Sequence, residues 1–177
     1  MICPACGARN FAPVKIDGAM PAEQCGACQG VWVELDLYRM WRKNRPQIAP
    51  HEYAGKLTPV DDAVRLCPQT GRMMTRIRVS NDNALLLDYS VAAQAVWFDN
   101  GEWERLKALG LSDQLDAVVS ERWQAELREA ASRERLEQAM RARFGDAAYD
   151  ELVRMRAWLS TQSRRTDMLA FLSAKAD

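Results

Sequence analysis

Two C-x-x-C pairs, Cys3/Cys6 and Cys25/Cys28, open the chain with the spacing C-x2-C-x18-C-x2-C. Two residues between ligands let both sulfurs of a pair reach one ion through a tight turn. Two such turns at the end of a hairpin complete a tetrahedron of thiolates, which suits one zinc ion per chain. Four thiolates on a divalent ion leave two net negative charges, so backbone N–H groups must point at the sulfurs. Gly7, Gly26 and Gly30 stand where the chain has to turn back over them, and positive φ without a steric penalty is the expected reason for glycine there. Four cysteines leave no open coordination position, so the expected role of the metal is structural. It also compensates for the small core that a module of this size can bury. Free buried thiols and a thioredoxin-like redox pair are the competing readings, the second without a βαβ context around either pair. Iron in the same ligand set is compatible with the spacing.

The elements that must position these sulfurs follow from the residues between them. Phe11, Val14 and Ile16 precede Asp17-Gly18, a hairpin signal. Val31-Trp32-Val33 reads as a third strand, and Leu37 to Lys43 suits a short helix. Residues 1–44 thus form one module. Residues 45–66 have the composition of a linker, with Pro46, Pro50 and Pro59 and the only histidine, His51.

Residues 67–110 resemble residues 1–44. Cys67-Pro68-Gln69-Thr70-Gly71 aligns with Cys3-Pro4-Ala5-Cys6-Gly7, and Val96-Trp97-Phe98 with Val31-Trp32-Val33. Ser90 then stands for Cys25 and Ala93 for Cys28. The alternation of Met73, Thr75, Ile77 and Val79 with Met74, Arg76 and Arg78 has strand periodicity, and Asn81-Asp82-Asn83 reads as a turn. The expectation is an internal duplication whose second copy has lost its metal. Trp32, Trp41, Trp97 and Trp103 then read as core where the copies meet, and Cys67 as a small buried hydrophobe.

Residues 111–177 read as helical. Ser112 is a candidate N-cap, followed by Leu115, Val119, Trp123 and Leu127 at helical spacing, with Gly145 as a stop signal and Asp146 as the next cap. If unbroken, the first helix would be roughly 45 Å long, a length that suits an arm or a dimerisation element.

At this point the residues carry a resemblance. Cys3-Pro4-x-Cys6-Gly7 with Cys25-x-x-Cys28-x-Gly30-Val31-Trp32 resembles the bacterial zinc-ribbon family named after transcription factor IIB. Val96-Trp97-Phe98-Asp99-x-Gly101-Glu102 is similar to the tail of the same family, where the first copy departs with Asp36-Leu37. The resemblance implies a zinc-ribbon fold with Cys3, Cys6, Cys25 and Cys28 as ligands. It covers residues 1–44 well, 67–110 weakly and the helices not at all. The fold class expected is therefore α+β: an N-terminal zinc ribbon, a metal-free ribbon-like repeat and a C-terminal helical hairpin or arm.

Charge restricts the function. The chain has 24 Lys/Arg and 24 Asp/Glu, and the balance holds region by region, which is not the footprint of a protein that grips phosphates. Arg39, Arg42, Lys43 and Arg45 beside Trp41 make the best local nucleic-acid candidate, with Arg76 and Arg78 as an extension. The arginines between Glu121 and Arg143 are matched by glutamates in a self-compensating helix surface. No phosphate loop is present, and a Ser/His/Asp triad would need His51 in the linker, so an enzyme is not expected. No apolar run is long enough to span a membrane, no secretory leader is recognised, and the odd number of cysteines argues against a disulfide framework; a cytoplasmic setting is expected. The leading expectation is a non-enzymatic adaptor or scaffold that binds a protein partner or itself through the helical region. The alternative is a transcription-related nucleic-acid-binding regulator, and a third reading is a thiol-based metal or redox sensor.

Overall fold

The computed structural model describes residues 1–44, 63–81 and 85–174. Asp17 and Gly18 take positive φ, 46° and 77°, and fold β1 (Phe11–Ile16) back on β2 (Met20–Cys25) as an antiparallel hairpin with Phe11 opposite Cys25. β3 (Val31–Glu34) follows, then α1 (Leu35–Lys43), whose Leu35, Tyr38 and Trp41 recur every third residue and form its buried face. The same succession recurs as β4 (Thr75–Arg78), β5 (Leu86–Ser90), β6 (Ala95–Phe98) and α2 (Glu102–Ala108).

All six strands share one antiparallel sheet, ordered β1-β2-β3-β6-β5-β4. Read inward from either edge the order is the same, and the halves join through β3 and β6. There Val31 faces Phe98, Trp32 faces Trp97 and Val33 faces Val96. Alternation along each strand sends side chains to opposite faces. Val31, Val33, Val96 and Phe98 join Tyr38, Trp41, Trp103 and Leu106 in the larger core, under α1 and α2. Trp32 and Trp97 turn the other way and pack with Cys3, Cys25, Cys67 and Met74. The four tryptophans expected in the core are all buried.

The helical region begins differently from expectation. Ser112 is buried in a loop and its carbonyl accepts a hydrogen bond from the Tyr38 hydroxyl at 2.8 Å. α3 (Leu115–Val118) is a single turn. Ser120 then interrupts the helix: its Oγ accepts from the Trp123 N–H at 3.2 Å, an N-terminal cap that starts α4 (Glu121–Phe144) afresh. Leu115 and Val118 sit in the larger core. Gln124 reaches β4: its amide accepts from the Arg78 N–H at 3.0 Å and donates to the Arg78 carbonyl at 2.8 Å, the pair of bonds a neighbouring strand would make.

The chain divides into two compact units, Met1–Arg128 and Glu129–Asp177, with the boundary inside α4. Residues 111–128 therefore belong with the sheet. In the second unit, α5 (Asp146–Ser160) follows Gly145 at φ 81°, and α6 (Arg165–Ser173) packs on α5. Arg141 ties α4 to α5 through Asp146 at 3.3 Å and Asp150 at 2.9 Å. Among the described residues no helix is long and apolar enough to cross a membrane.

Candidate metal centre

The sheet brings two turns together at one end. Phe11 and Cys25 are paired across the hairpin, so the turn Cys25–Cys28 lies beside the turn Cys3–Cys6. All four Sγ atoms fall within 4.8 Å of one another, and they are the one such cluster among the described residues. Cys3 and Cys28 are 3.5 Å apart and Cys6 and Cys25 3.6 Å. A disulfide would need about 2.05 Å. A zinc ion with Zn–S bonds of about 2.3 Å needs thiolate edges of about 3.8 Å, and the donor set fits it with small adjustment.

Each turn closes on itself. The Gly7 N–H donates to the Cys3 carbonyl and the Gln29 N–H to the Cys25 carbonyl, both at 2.9 Å. The residue after the second cysteine takes positive φ in both, Gly7 at 75° and Gln29 at 63°. Gly26 and Gly30 were expected to serve that role and do not. Gly30 is required by proximity instead: a Cβ there would lie 2.2 Å from Cζ2 of Trp97. The Asn10 side chain crowds Gly26 in the same way, 2.7 Å from where its Cβ would be.

The surroundings push the thiols of Cys25, Cys3 and Cys28 in different directions. Burial pushes the Cys25 thiol up, but N–H groups of Cys28 and Ala27 and the Cys3 and Cys6 thiols outweigh it and leave it at about 7. Burial pushes Cys3 up against N–H bonds from Cys6 and Ala5, and Cys28 up against one from Gly30. These N–H groups are the donors that four thiolates on a divalent ion require. Zinc binding would displace the remaining protons and supply a closed, structural tie between the two turns.

The second half repeats the turn without the ligand set. The Cys67 N–H donates to Arg72 at 2.7 Å as that of Cys3 donates to Ala8 at 2.8 Å, and Gly71 takes φ 69°. Cys67 is buried. Burial raises its thiol, and hydrogen bonds from Ser90 and Thr70 more than offset that and lower it. Ser90 also accepts the Ala93 N–H at 3.2 Å. A hydroxyl thus occupies the place that Cys25 holds in the first half.

The basic residues singled out in the sequence do not gather on one face. On α1, Arg39 pairs with Asp36 and Asp116, both at 2.8 Å. Arg42 pairs with Asp116 at 3.3 Å and lies over the Tyr38 ring. Lys43 is exposed at the end of the helix. Arg45 and His51 lie outside the described residues. Arg76 and Arg78 alternate with Ile77, which faces the core under α1, so they point to the opposite face of the sheet. Arg76 pairs with Asp88 at 3.4 Å.

Sequence reasoning missed the acids that occupy these arginines, Asp116 and Asp88. It also missed Arg65, in the segment assigned to the linker. Arg65 is buried and pairs with Asp88 at 3.0 Å and Asp99 at 2.7 Å, and it approaches the Pro4 carbonyl at 3.4 Å. A charge two residues before Cys67 carried no periodic or motif signal.

Comparison with known proteins adds one match. Residues 2–43 match the model of a family described as transcription factor zinc-finger, of the TFIIB zinc-ribbon type. This is the stretch that carries all four cysteines, and it forms a zinc ribbon with a site for one zinc ion. No curated protein and no solved structure matches the chain.

Proposed function

We propose that this protein is a non-catalytic scaffold in which one structural zinc ion sets a ribbon, a metal-free repeat of that ribbon completes its sheet, and the helical region engages a protein partner or a second copy. The observation that carries the reading is in the unit Glu129–Asp177. Of its described residues only Leu159 is buried. Trp158, Phe171 and Leu172 are more than half exposed and line a groove of about 700 Å³ between α5 and α6. Exposed apolar patches of this kind mark interaction surfaces. The closed thiolate site supports a structural role for the metal.

The test compares the zinc-loaded wild type with a Trp158→Glu/Phe171→Glu variant. Light scattering would show self-association, and affinity capture would show partners. The expected result is a dimer or a retained partner that the variant loses while keeping one zinc ion per chain. A monomer that retains nothing, or a variant indistinguishable from wild type, would overturn the reading. Regulation through nucleic acid rests on the family description and on Arg39, Arg42, Lys43, Arg45, Arg76 and Arg78. It predicts retention on mixed nucleic acid that weakens steeply with salt; the ion pairs on Arg39, Arg42 and Arg76 argue against it.

A further inference from the structure

The two halves of the sheet place corresponding acids in the same register. Asp88 stands opposite Trp97, and Asp99 follows Trp97 by two residues. Glu23 stands opposite Trp32, and Glu34 follows Trp32 by two. In the second half this arrangement holds a guanidinium. Arg65 sits between Asp88 and Asp99, at 3.0 and 2.7 Å. Asp99 takes Arg65 on Oδ2 and the Trp97 indole N–H on Oδ1, the latter at 2.7 Å. Arg65 arrives on an extended segment: its carbonyl accepts the Met74 N–H at 2.9 Å, and Leu66 bridges to Met73.

In the first half the corresponding position is a cleft. It has a volume of about 290 Å³ and is lined by Pro13, Lys15, Pro21, Glu23, Trp32 and Glu34, among others. Trp32 is 1% exposed, and its indole N–H has no hydrogen-bond partner among the described residues. Glu34 accepts from Gln69 on Oε1 at 2.8 Å, which leaves Oε2 for a further donor. Among the described residues, Glu23 forms no ion pair. The residue two before Cys3, where the second half has Arg65 before Cys67, is Met1, and Pro13 stands across from Glu23 where Arg76 stands across from Asp88. Two carboxylates against Lys15 leave the cleft one net negative charge, which one guanidinium neutralises.

We propose that this cleft binds an arginine side chain carried on an extended segment of a partner protein, in the manner in which the second half holds Arg65. The planar fork would bridge Glu23 and Glu34 as it bridges Asp88 and Asp99. Glu34, drawn toward the cation, would accept the stranded Trp32 N–H. The proposal rests on the sheet alone and is independent of the helical surface, so either can fail without the other.

The test uses the full-length zinc-loaded protein labelled with nitrogen-15. The probe is the blocked peptide Ala-Val-Arg-Leu, the sequence of residues 63–66, with a lysine counterpart and free arginine amide as comparisons. The chain has six tryptophans, and the Trp32 indole resonance is assigned through its proximity to Glu23 on the neighbouring strand. The expected result is a saturable shift of that resonance with the arginine peptide, at least about tenfold weaker with the lysine peptide, with free arginine amide and with Glu23→Gln or Glu34→Gln. Zinc content and the other indole resonances should be unchanged in the variants. An unmoved Trp32 resonance at millimolar peptide, an equal response to lysine, or full binding in both variants would overturn the proposal. Equal binding of free arginine amide would overturn the assignment to a protein segment.

Discussion

At the scale of single residues, the four ligating cysteines and the fifth differ in surroundings more than in chemistry, and substitution should separate them. Cys25→Ser is expected to take zinc from one ion per chain to none, because a buried ligand is lost from a closed four-ligand site. Cys67→Ser is expected to leave one ion bound, and native mass spectrometry reads both. Gly30→Ala should lower stability by about 1–3 kcal/mol, the usual cost of forcing atoms into a packed core, since Trp97 occupies the space a methyl would need. A thermal melt checks it, and unchanged stability would mean that the indole can move aside. Glu102 offers a pH dependence. Burial pushes its carboxyl up, Asp99 and Asp88 push it further, and an N–H from Asp99 and the charge of Arg65 only partly offset them, leaving it at about 8. A carboxyl with a raised folded pKa stabilises the fold while protonated, fully below its unfolded value of about 4.3. That contribution declines as the pH rises toward about 8 and is gone above it. Wild type should therefore lose stability against Glu102→Gln as pH rises from about 5 to about 8. Denaturant midpoints of the two proteins measured across that range would test it, and parallel curves would refute it.

At the scale of elements, the first hairpin, the strand around Ile77 and the zinc turns were legible because each carries a local signal. Alternation, an Asp-Gly pair and C-x-x-C spacing all depend on neighbours a few residues apart. Helix α1 was legible except at its start, for Leu35 and Asp36 carry no N-cap sequence. What the sequence could not display were contacts between distant residues. Tyr38 is one: its hydroxyl donates to the Ser112 carbonyl at 2.8 Å and accepts the Leu115 N–H at 3.1 Å, so one phenol fixes α3 against α1. Asp17 is another, read as a turn residue and also holding Lys107 at 2.6 Å and the Trp103 indole at 3.0 Å. Tyr38→Phe should cost about 1–3 kcal/mol, because it strands a buried carbonyl and a buried N–H together. Hydrogen exchange should speed at Leu115 and Val118 while the zinc turns keep their protection. Exchange unchanged at α3 would mean that apolar packing of Leu115 alone holds that turn.

At the scale of the whole molecule, one ion serves a six-stranded sheet. The two halves of the sheet, joined through β3 and β6, share their cores on both faces, so metal bound in one half stabilises strands contributed by the other. Chelation should therefore loosen both halves of the sheet, and near-ultraviolet signal from the buried tryptophans should fall well before the far-ultraviolet helix signal. Equal loss of both would indicate a single cooperative unit spanning the helices. The edges of that sheet differ in a way that bears on assembly. Gln124 already occupies the outer backbone of β4 at Arg78, while among the described residues β1 has only β2 beside it. An exposed edge is a template for another chain's strand. Two molecules joining through their β1 edges would place a β4 edge, bonded at Arg78 by Gln124, at each end of the combined sheet. Growth past that pair would have to start on an edge whose Arg78 backbone is already bonded, so the two edges of this sheet are unequal partners for a further strand.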